Sequence, residues 1–368
     1  MDKNIIIVLV SQQTIQNVLF IKEFVKNNDD HILLISTKGM KEKEEWIKNS
    51  LNIQNKYHSI IVDEYDNKDI LEKLKEFNIH EYKNKYINIT GGTKLMSIET
   101  YDFFKSIENC HIYYITRGNE YKKIFPIEEE NTYNFKCSVS IKEYFKAYGF
   151  ESKESGLSEI DKEYTYGFLE KFLETDSYDI IKELQNKRNN NSVKKKGRLS
   201  TVEVEGLNDF LSDIAFPLKN EGIISKKEIE YLTGGWFEEY IYYTLKDASV
   251  VQDADILCGV SKKNGRSDNE LDIVILKENQ LHIIECKTYI CNKGKSSLPA
   301  DAVYKLDSIQ KELGLFAKPY IVTLNKAHEI DEPHKRRAGQ YGIKILTIEN
   351  IVEGNLISNI FPNAPQSL

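Results

Sequence analysis

The sequence predicts two α/β domains in tandem, the first built on a doubly wound parallel sheet and the second on a smaller mixed sheet. The first follows from β-branched runs that recur over residues 1–147, each separated from the next by a stretch long enough for a crossover helix. The second follows from one short connection. The residues KENQ at 277–280 join two apolar strands and read as a hairpin, so that sheet cannot be all parallel.

In order, the first domain offers strands NIIIVLV, HILLIST, YHSIIVD, KYINIT and HIYYIT, with helical patterns QNVLFIKEFVKNN, KEKEEWIKNSLN, KDILEKLKEFN and KLMSIETYDFFKS between them. Residues 148–230 read as a polar, mostly helical linker region. They are interrupted at 187–198 by an Asn- and Lys-rich stretch without apolar periodicity, which predicts a mobile loop. Its Lys187, Arg188, Lys194, Lys195, Lys196 and Arg198 have no acidic residue among them, a composition suited to phosphate or to a solvated loop. From 231 to 368 the pattern is a helix (GGWFEEYIYYTLKD), strands ILCGVS, ELDIVILKE and LHIIECKT, a helix ADAVYKLDSIQKELG, the strand PYIVTL, a basic helical segment and a last strand IKILTI.

Composition removes several classes. Fifty Lys and Arg against 57 Asp and Glu leave a net charge of −7, which excludes a wholly basic nucleic-acid binder. A hydrophobic content of 40% excludes disorder over most of the 368 residues. The apolar run near the start is too short to span a bilayer and reads as a buried strand, so no membrane partner is expected. Five cysteines without a CxxC pair (Cys110, Cys137, Cys258, Cys286 and Cys291) fit reduced thiols and a cytoplasmic location.

Chemistry concentrates in the hairpin. Asp272 lies on its first strand and Glu285-Cys286-Lys287 on its second, so the return of the chain sets Asp272 near Glu285. Alternation puts Glu285 and Lys287 on one face and Cys286 on the other. Two carboxylates beside a lysine suit a hard divalent cation, Mn²⁺ or Mg²⁺, with the Cys286 carbonyl as a further oxygen ligand. Such a site hydrolyses phosphodiesters: the ion binds the phosphate and acidifies a water, and the lysine steadies the developing charge. His282 falls on the face opposite Glu285 and reads as a packed histidine. Lys305 reads as an exposed lysine or a phosphate contact, and Lys335-Arg336-Arg337 and Lys262-Lys263-Arg266 as candidate backbone contacts.

The first domain has no GxGxxG after its first strand, which disfavours a dinucleotide oxidoreductase. Its anion-binding feature is Asn88-Ile89-Thr90-Gly91-Gly92-Thr93-Lys94 running into a helix, where glycines admit an anion to the backbone N–H groups and Lys94 adds a charge. It does not match GxxxxGK[ST], so nucleotide hydrolysis is not expected there.

Asp272 with Glu285-Cys286-Lys287 resembles the PD-(D/E)xK nuclease signature. Glu238, after Trp236-Phe237, resembles that superfamily's helical metal carboxylate in a GxWxE pattern, with Glu239 as competitor; Lys305 resembles a helical residue that follows ExK. Ser11, Ser36-Thr37 and Thr90–Lys94 resemble the CARF domain, the CRISPR-associated Rossmann-like sensor of cyclic oligoadenylates. Together they resemble the type III CRISPR ancillary nucleases activated by cyclic tetra-adenylate. The resemblance implies ligand contacts at Ser11, Gln12, Thr37, Gly91, Gly92, Thr93 and Lys94, with Arg117 as a further one. It also implies a homodimer with one twofold ligand cleft and a metal-dependent endonuclease cutting single-stranded RNA, DNA or both, with nicking of supercoiled DNA. Two other readings stay open: a sensor that holds nucleic acid without cutting it, and a sensor that degrades its own ligand.

Overall fold

The computed structural model describes residues 3–175, 178–189, 191–249, 252, 255–263, 269–288 and 300–362. The first sheet has seven strands. β1 (Ile5–Leu9), β2 (His31–Ser36), β3 (Lys56–Ile61), β4 (Lys85–Asn88) and β5 (Cys110–Arg117) are mutually parallel in the order β3-β2-β1-β4-β5. Two strands extend the expected parallel set: β6 (Glu120–Phe125), antiparallel to β5, and β7 (Thr132–Asn134), antiparallel to β6. The order reverses between β1 and β4, the switch point where open α/β sheets bind ligands beyond the strands' carboxyl ends.

A second, six-stranded sheet has the order β15-β14-β13-β12-β11-β8. Its members are β8 (Glu151–Glu154), β11 (Ile256–Lys263), β12 (Asn269–Lys277), β13 (Gln280–Lys287), β14 (Lys318–Thr323) and β15 (Lys344–Leu346). Pairing is antiparallel from β8 to β13 and parallel from β13 to β15, the mixed sheet that the short hairpin demanded. Glu278 and Asn279 turn the hairpin with φ of 50° and 60°. Between the sheets in sequence lies a small ribbon, β9 (Arg198–Ser200) with β10 (Ile223–Ser225).

The stretch 187–198, expected to be a mobile loop, takes in the end of the helix Tyr178–Asn189, the helix Asn191–Lys196 and the first residue of β9; Asn190 lies outside the described residues. Apolar residues in the two helices are few, but Ile181, Leu184 and Val193 are all buried in the core that holds Trp236. Tertiary packing thus supplies what local periodicity lacks. The 148–230 region also contributes β8 to the second sheet, and its helix Lys162–Glu174 buries Phe168 and Phe172.

One hydrophobic core is shared by both sheets. It takes Ile6 and Val8 from β1 and Val10 just after it, Tyr144 and Phe145 from the helix Ile141–Ala147, and Leu276, Leu281, Ile283 and Leu306 from the second half of the chain. Polar bonds cross the same seam. The Gln13 amide oxygen accepts from Leu315 N at 3.0 Å, and Tyr144 donates its hydroxyl to the Leu313 carbonyl at 3.0 Å. At the hairpin tip, Asn279 accepts from Val139 N (3.0 Å) and donates to Asn119 Oδ1 (2.7 Å) and the Cys137 carbonyl (3.0 Å). Among the described residues no helix is long and apolar enough to cross a membrane, and the four described cysteines are free. Cys291 lies outside the described residues.

Candidate active site and ligand loops

The ladder between β12 and β13 ends at Ile273–Ile284, and the same register sets Asp272 opposite Glu285. There a side chain replaces the backbone. Asp272 Oδ2 accepts the Cys286 amide at 2.7 Å, so the carboxylate is fixed on the strand that carries the other residues of the motif. On the other side the β11 ladder skips the same position, at Gly259, whose φ is +64° and where a Cβ would overlap Ser155 Oγ.

Asp272 (8% exposed), Cys286, Lys287 and Glu238 line one cavity of about 690 Å³. Glu238 stands on the helix Trp236–Asp247, which follows a π-turn over Tyr231–Gly235. Its neighbour Glu239 reaches the cavity wall but accepts from Ser158 N (2.6 Å) and Ser158 Oγ (3.0 Å). Of the two competing glutamates, Glu238 is the one that feels the Asp272 charge. Burial first and the Asp272 charge second push its carboxyl well above the usual carboxylate range. Asp272 is raised likewise, by burial and then by Glu285.

Glu285 is 3% exposed and does not line the cavity. Lys287 Nζ lies 2.7 Å from its Oε1, and Lys305, on the helix Ala300–Leu313, reaches both carboxylate oxygens at 2.9 and 2.8 Å. The lysine expected to be exposed is therefore half-buried against the motif's glutamate. Burial alone would lower the Lys287 pKa, but Asp272 and Glu285 hold it up at about 12. His282 is packed as expected: its ring stacks on Tyr320, and burial with Lys318 and Lys277 nearby lowers it to about 3.

Among the described residues no three of His, Cys, Asp and Glu converge as a metal cluster. The donor chemistry nevertheless suits a hard cation. Glu238 is a half-buried and Asp272 a buried oxygen donor; Lys287 acts on both from a distance, but among the described residues neither is ion-paired, whereas Glu285 is gripped by two ammonium groups.

A pH effect follows. Asp272 and Glu238 hold their protons more tightly folded than unfolded, so they favour the fold below the ordinary carboxylate range and oppose it as pH rises through their raised values. In EDTA, Asp272→Asn is expected to gain stability relative to wild type between about pH 5 and about pH 8.5, read from urea midpoints. A constant difference between the two proteins would remove the strain assigned to Asp272.

The ligand loops meet at the switch point. A Cβ on Gly91 would overlap the Leu9 carbonyl oxygen, so only glycine allows the ends of β1 and β4 to approach. Gly92 has φ +73°, and Thr93 caps the helix Lys94–Phe104 by accepting from Met96 N at 3.2 Å. Lys94 is exposed at the first position of that helix, where the macrodipole disfavours a cation unless an anion is bound there. Ser11 accepts from Gln13 N (3.3 Å), Gln12 is exposed and Thr37 is buried; the side chain of Arg117, at the end of β5, lies outside the described residues. Sequence reasoning missed the polar support beneath: Asn17 donates to the Leu9 carbonyl, Asn88 donates to Asn17, and Thr90 donates to Asn88 while accepting from Ile115 N. Asn88 was visible only as the residue that opens the glycine loop.

Of the candidate backbone contacts, Lys335, Arg336 and Arg337 lie on the helix Glu332–Gln340. Arg266 lies outside the described residues. Lys262 and Lys263 are backbone partners of β8, and their side chains are not described.

Residues 5–144 match the Card1 CARF domain and residues 225–357 the Card1-like endonuclease domain. No curated protein sequence matches the chain. Among solved structures, Can2 from Sulfobacillus thermosulfidooxidans in complex with cyclic tetra-adenylate superposes with a TM-score of 0.77 at 21% identity, covering 97% of this chain and 99% of that one. Protein VC1899 from Vibrio cholerae gives 0.75 at 19% identity, covering 97% and 98%. A type III CRISPR defence DNA nuclease activated by cyclic oligoadenylate gives 0.54 at 11% identity, covering 92% of this chain and 52% of that one. These three likenesses speak to the fold. Domain by domain, residues 5–144 are a CARF domain of the Card1 type and residues 225–357 a Card1-like endonuclease domain.

Proposed function

We propose that this chain is a metal-dependent endonuclease gated by cyclic tetra-adenylate, which cuts single-stranded RNA or DNA and nicks supercoiled DNA in type III CRISPR defence as a cytoplasmic homodimer. The observation that carries the reading is that a CARF domain and an endonuclease domain share one core, with Asp272, Lys287 and Glu238 around a single cavity. The fold shared with a Can2 structure that holds cyclic tetra-adenylate supports the choice of activator.

Glu238, Asp272, Glu285 and the Cys286 carbonyl are the residues that would hold Mn²⁺ or Mg²⁺. When bound, such an ion supplies Lewis acidity toward the phosphate and acidifies a water. Lys287, with a pKa near 12, stays protonated and meets the negative charge that develops on the phosphate; it is not a general base. Lys305 fixes the direction of the Glu285 carboxylate. In the sensor, Ser11, Gln12, Thr37, Gly91, Gly92, Thr93, Lys94 and Arg117 surround the ligand, and a twofold dimer presents each of them twice to a symmetric ring.

The test is cleavage of labelled single-stranded RNA, single-stranded DNA and supercoiled plasmid in Mn²⁺ or Mg²⁺, each with and without cyclic tetra-adenylate. Cutting that needs both metal and ligand is the expected result, and binding of the ligand without any cutting overturns it. Lys94→Ala is expected to raise the ligand concentration for half-activation about tenfold or more, the effect of losing a charge-assisted bond. An unchanged dose response removes Lys94 from the sensor site.

A further inference from the structure

The cavity that holds Asp272 has two walls, and only one belongs to the β-sheet. The other is made by the helical region, with Gln185, Arg188 and Thr233 facing the side that carries Asp272 and Lys287. We infer that the basic strip from Arg188 to Arg198 is a track for the phosphate backbone of a single-stranded nucleic acid, leading the strand into this cavity. The inference rests on the nuclease reading and adds the residues that hold the strand.

Arg188 is held at the cavity wall. Its Nη1 donates to Thr233 Oγ1 at 3.3 Å, and that hydroxyl is itself fixed by donating to the Ile229 carbonyl at 2.7 Å. The nearest acid, Glu230, stands 3.8 Å from Nε, outside hydrogen-bond distance. A guanidinium carries five N–H donors, and the side chain is 42% exposed, so donors remain for a phosphate. The strip continues along the rim. Arg198 pairs with Ser225 across the β9–β10 ribbon, Ser225 lines the cavity, and Lys226 N donates to the Gly197 carbonyl at 2.9 Å.

Lys195, Lys196 and Arg198 are exposed and have no acidic partner among the described residues. In a chain of net charge −7 this is a local cationic path that ends at buried carboxylates. Such an order suits a polyanion whose outer phosphates meet cations and whose scissile phosphate alone meets the acidic centre. The strip offers charge and no pattern that reads base edges, so binding along it is independent of sequence.

The test compares wild type with Arg188→Gln and with the triple variant Lys195→Gln, Lys196→Gln, Arg198→Gln. All are activated with cyclic tetra-adenylate in Mn²⁺, on a labelled single-stranded substrate of about 20 nucleotides and one of about 4, between about 50 and 200 mM salt. The triple variant is expected to raise KM on the long substrate about tenfold at unchanged kcat, and to lower the salt slope of log KM by about 2, as for three lost phosphate contacts. The short substrate, which fills only the cavity, is expected to respond to Arg188→Gln and not to the triple variant. Wild-type KM and salt slope in the triple variant on the long substrate would overturn the track. Fluorescence anisotropy of the long strand in EDTA reads the same slope without cleavage. If the wild type cuts neither substrate, the nuclease reading fails by itself, while a reduced binding slope still upholds the track and an unchanged one rejects it.

Discussion

Glu285→Ala is expected to lower ligand-triggered cleavage more than about 100-fold while cyclic tetra-adenylate still binds. Substituting a residue that merely supports a metal ligand commonly costs 10- to 100-fold, and a residue within the constellation should exceed that. The effect has two sources. On the proposed function, the variant removes one of the carboxylates that would hold the divalent ion, and it leaves Lys287 and Lys305 without the group that both of them grip. Their side chains are 33% and 31% exposed, so each can turn toward water, and the fold should survive the loss. Glu285→Gln keeps the shape and, through Oε1, one contact to each lysine, while removing the charge and the second bond from Lys305. Equal inactivity of the two variants, with unchanged ligand affinity by calorimetry, is the expected pattern. Substantial cleavage by Glu285→Ala would take Glu285 out of the site.

Trp236→Ala should destabilise the second half of the chain by about 3–5 kcal/mol, the usual range for emptying a fully buried large aromatic. The ring is 0% exposed and lies 4.9 Å from Phe168 and 4.8 Å from Phe172, on the helix that precedes the basic strip. It also begins the helix that carries Glu238. The indole N–H is buried without a hydrogen-bond partner among the described residues, so Trp236→Phe removes an unsatisfied donor as well as volume and should cost less than the alanine variant. Urea midpoints of the two variants decide the matter. A loss below about 1 kcal/mol for Trp236→Ala would mean that the 148–230 helices do not pack on the nuclease core as described.

Five strands of each sheet were legible because their residues alternate or run apolar over lengths that helices do not use, and KENQ set the hairpin that brings Asp272 opposite Glu285; β6 and β7 were not foreseen. Other features left no local trace. β8 is the polar sequence Glu-Ser-Lys-Glu at a sheet edge, half outside any core, and only pairing with β11 makes it a strand. The 178–196 helices bury just a few side chains, too sparse to give a period. Lys305 lies 20 positions from Glu285, and only the packing of its helix on the sheet brings them together. Asn17 and Asn88 act through one another across 71 positions, a relation no motif spacing expresses.

The seam between the two halves has a consequence for how such proteins diversify. Gln13 and Tyr144 complete the end of a helix that belongs to the other half, and Asn279 fits among Asn119, Cys137 and Val139. Sensor and effector are therefore not interchangeable cartridges. A recombination that joined this sensor to a foreign effector would transmit both chemistries intact and lose the fit between them, leaving apolar surface and orphaned amides on each side. A change at Asn279 that removes its amide strands Asn119, 160 positions away, so the fit ties the inheritance of one half to that of the other.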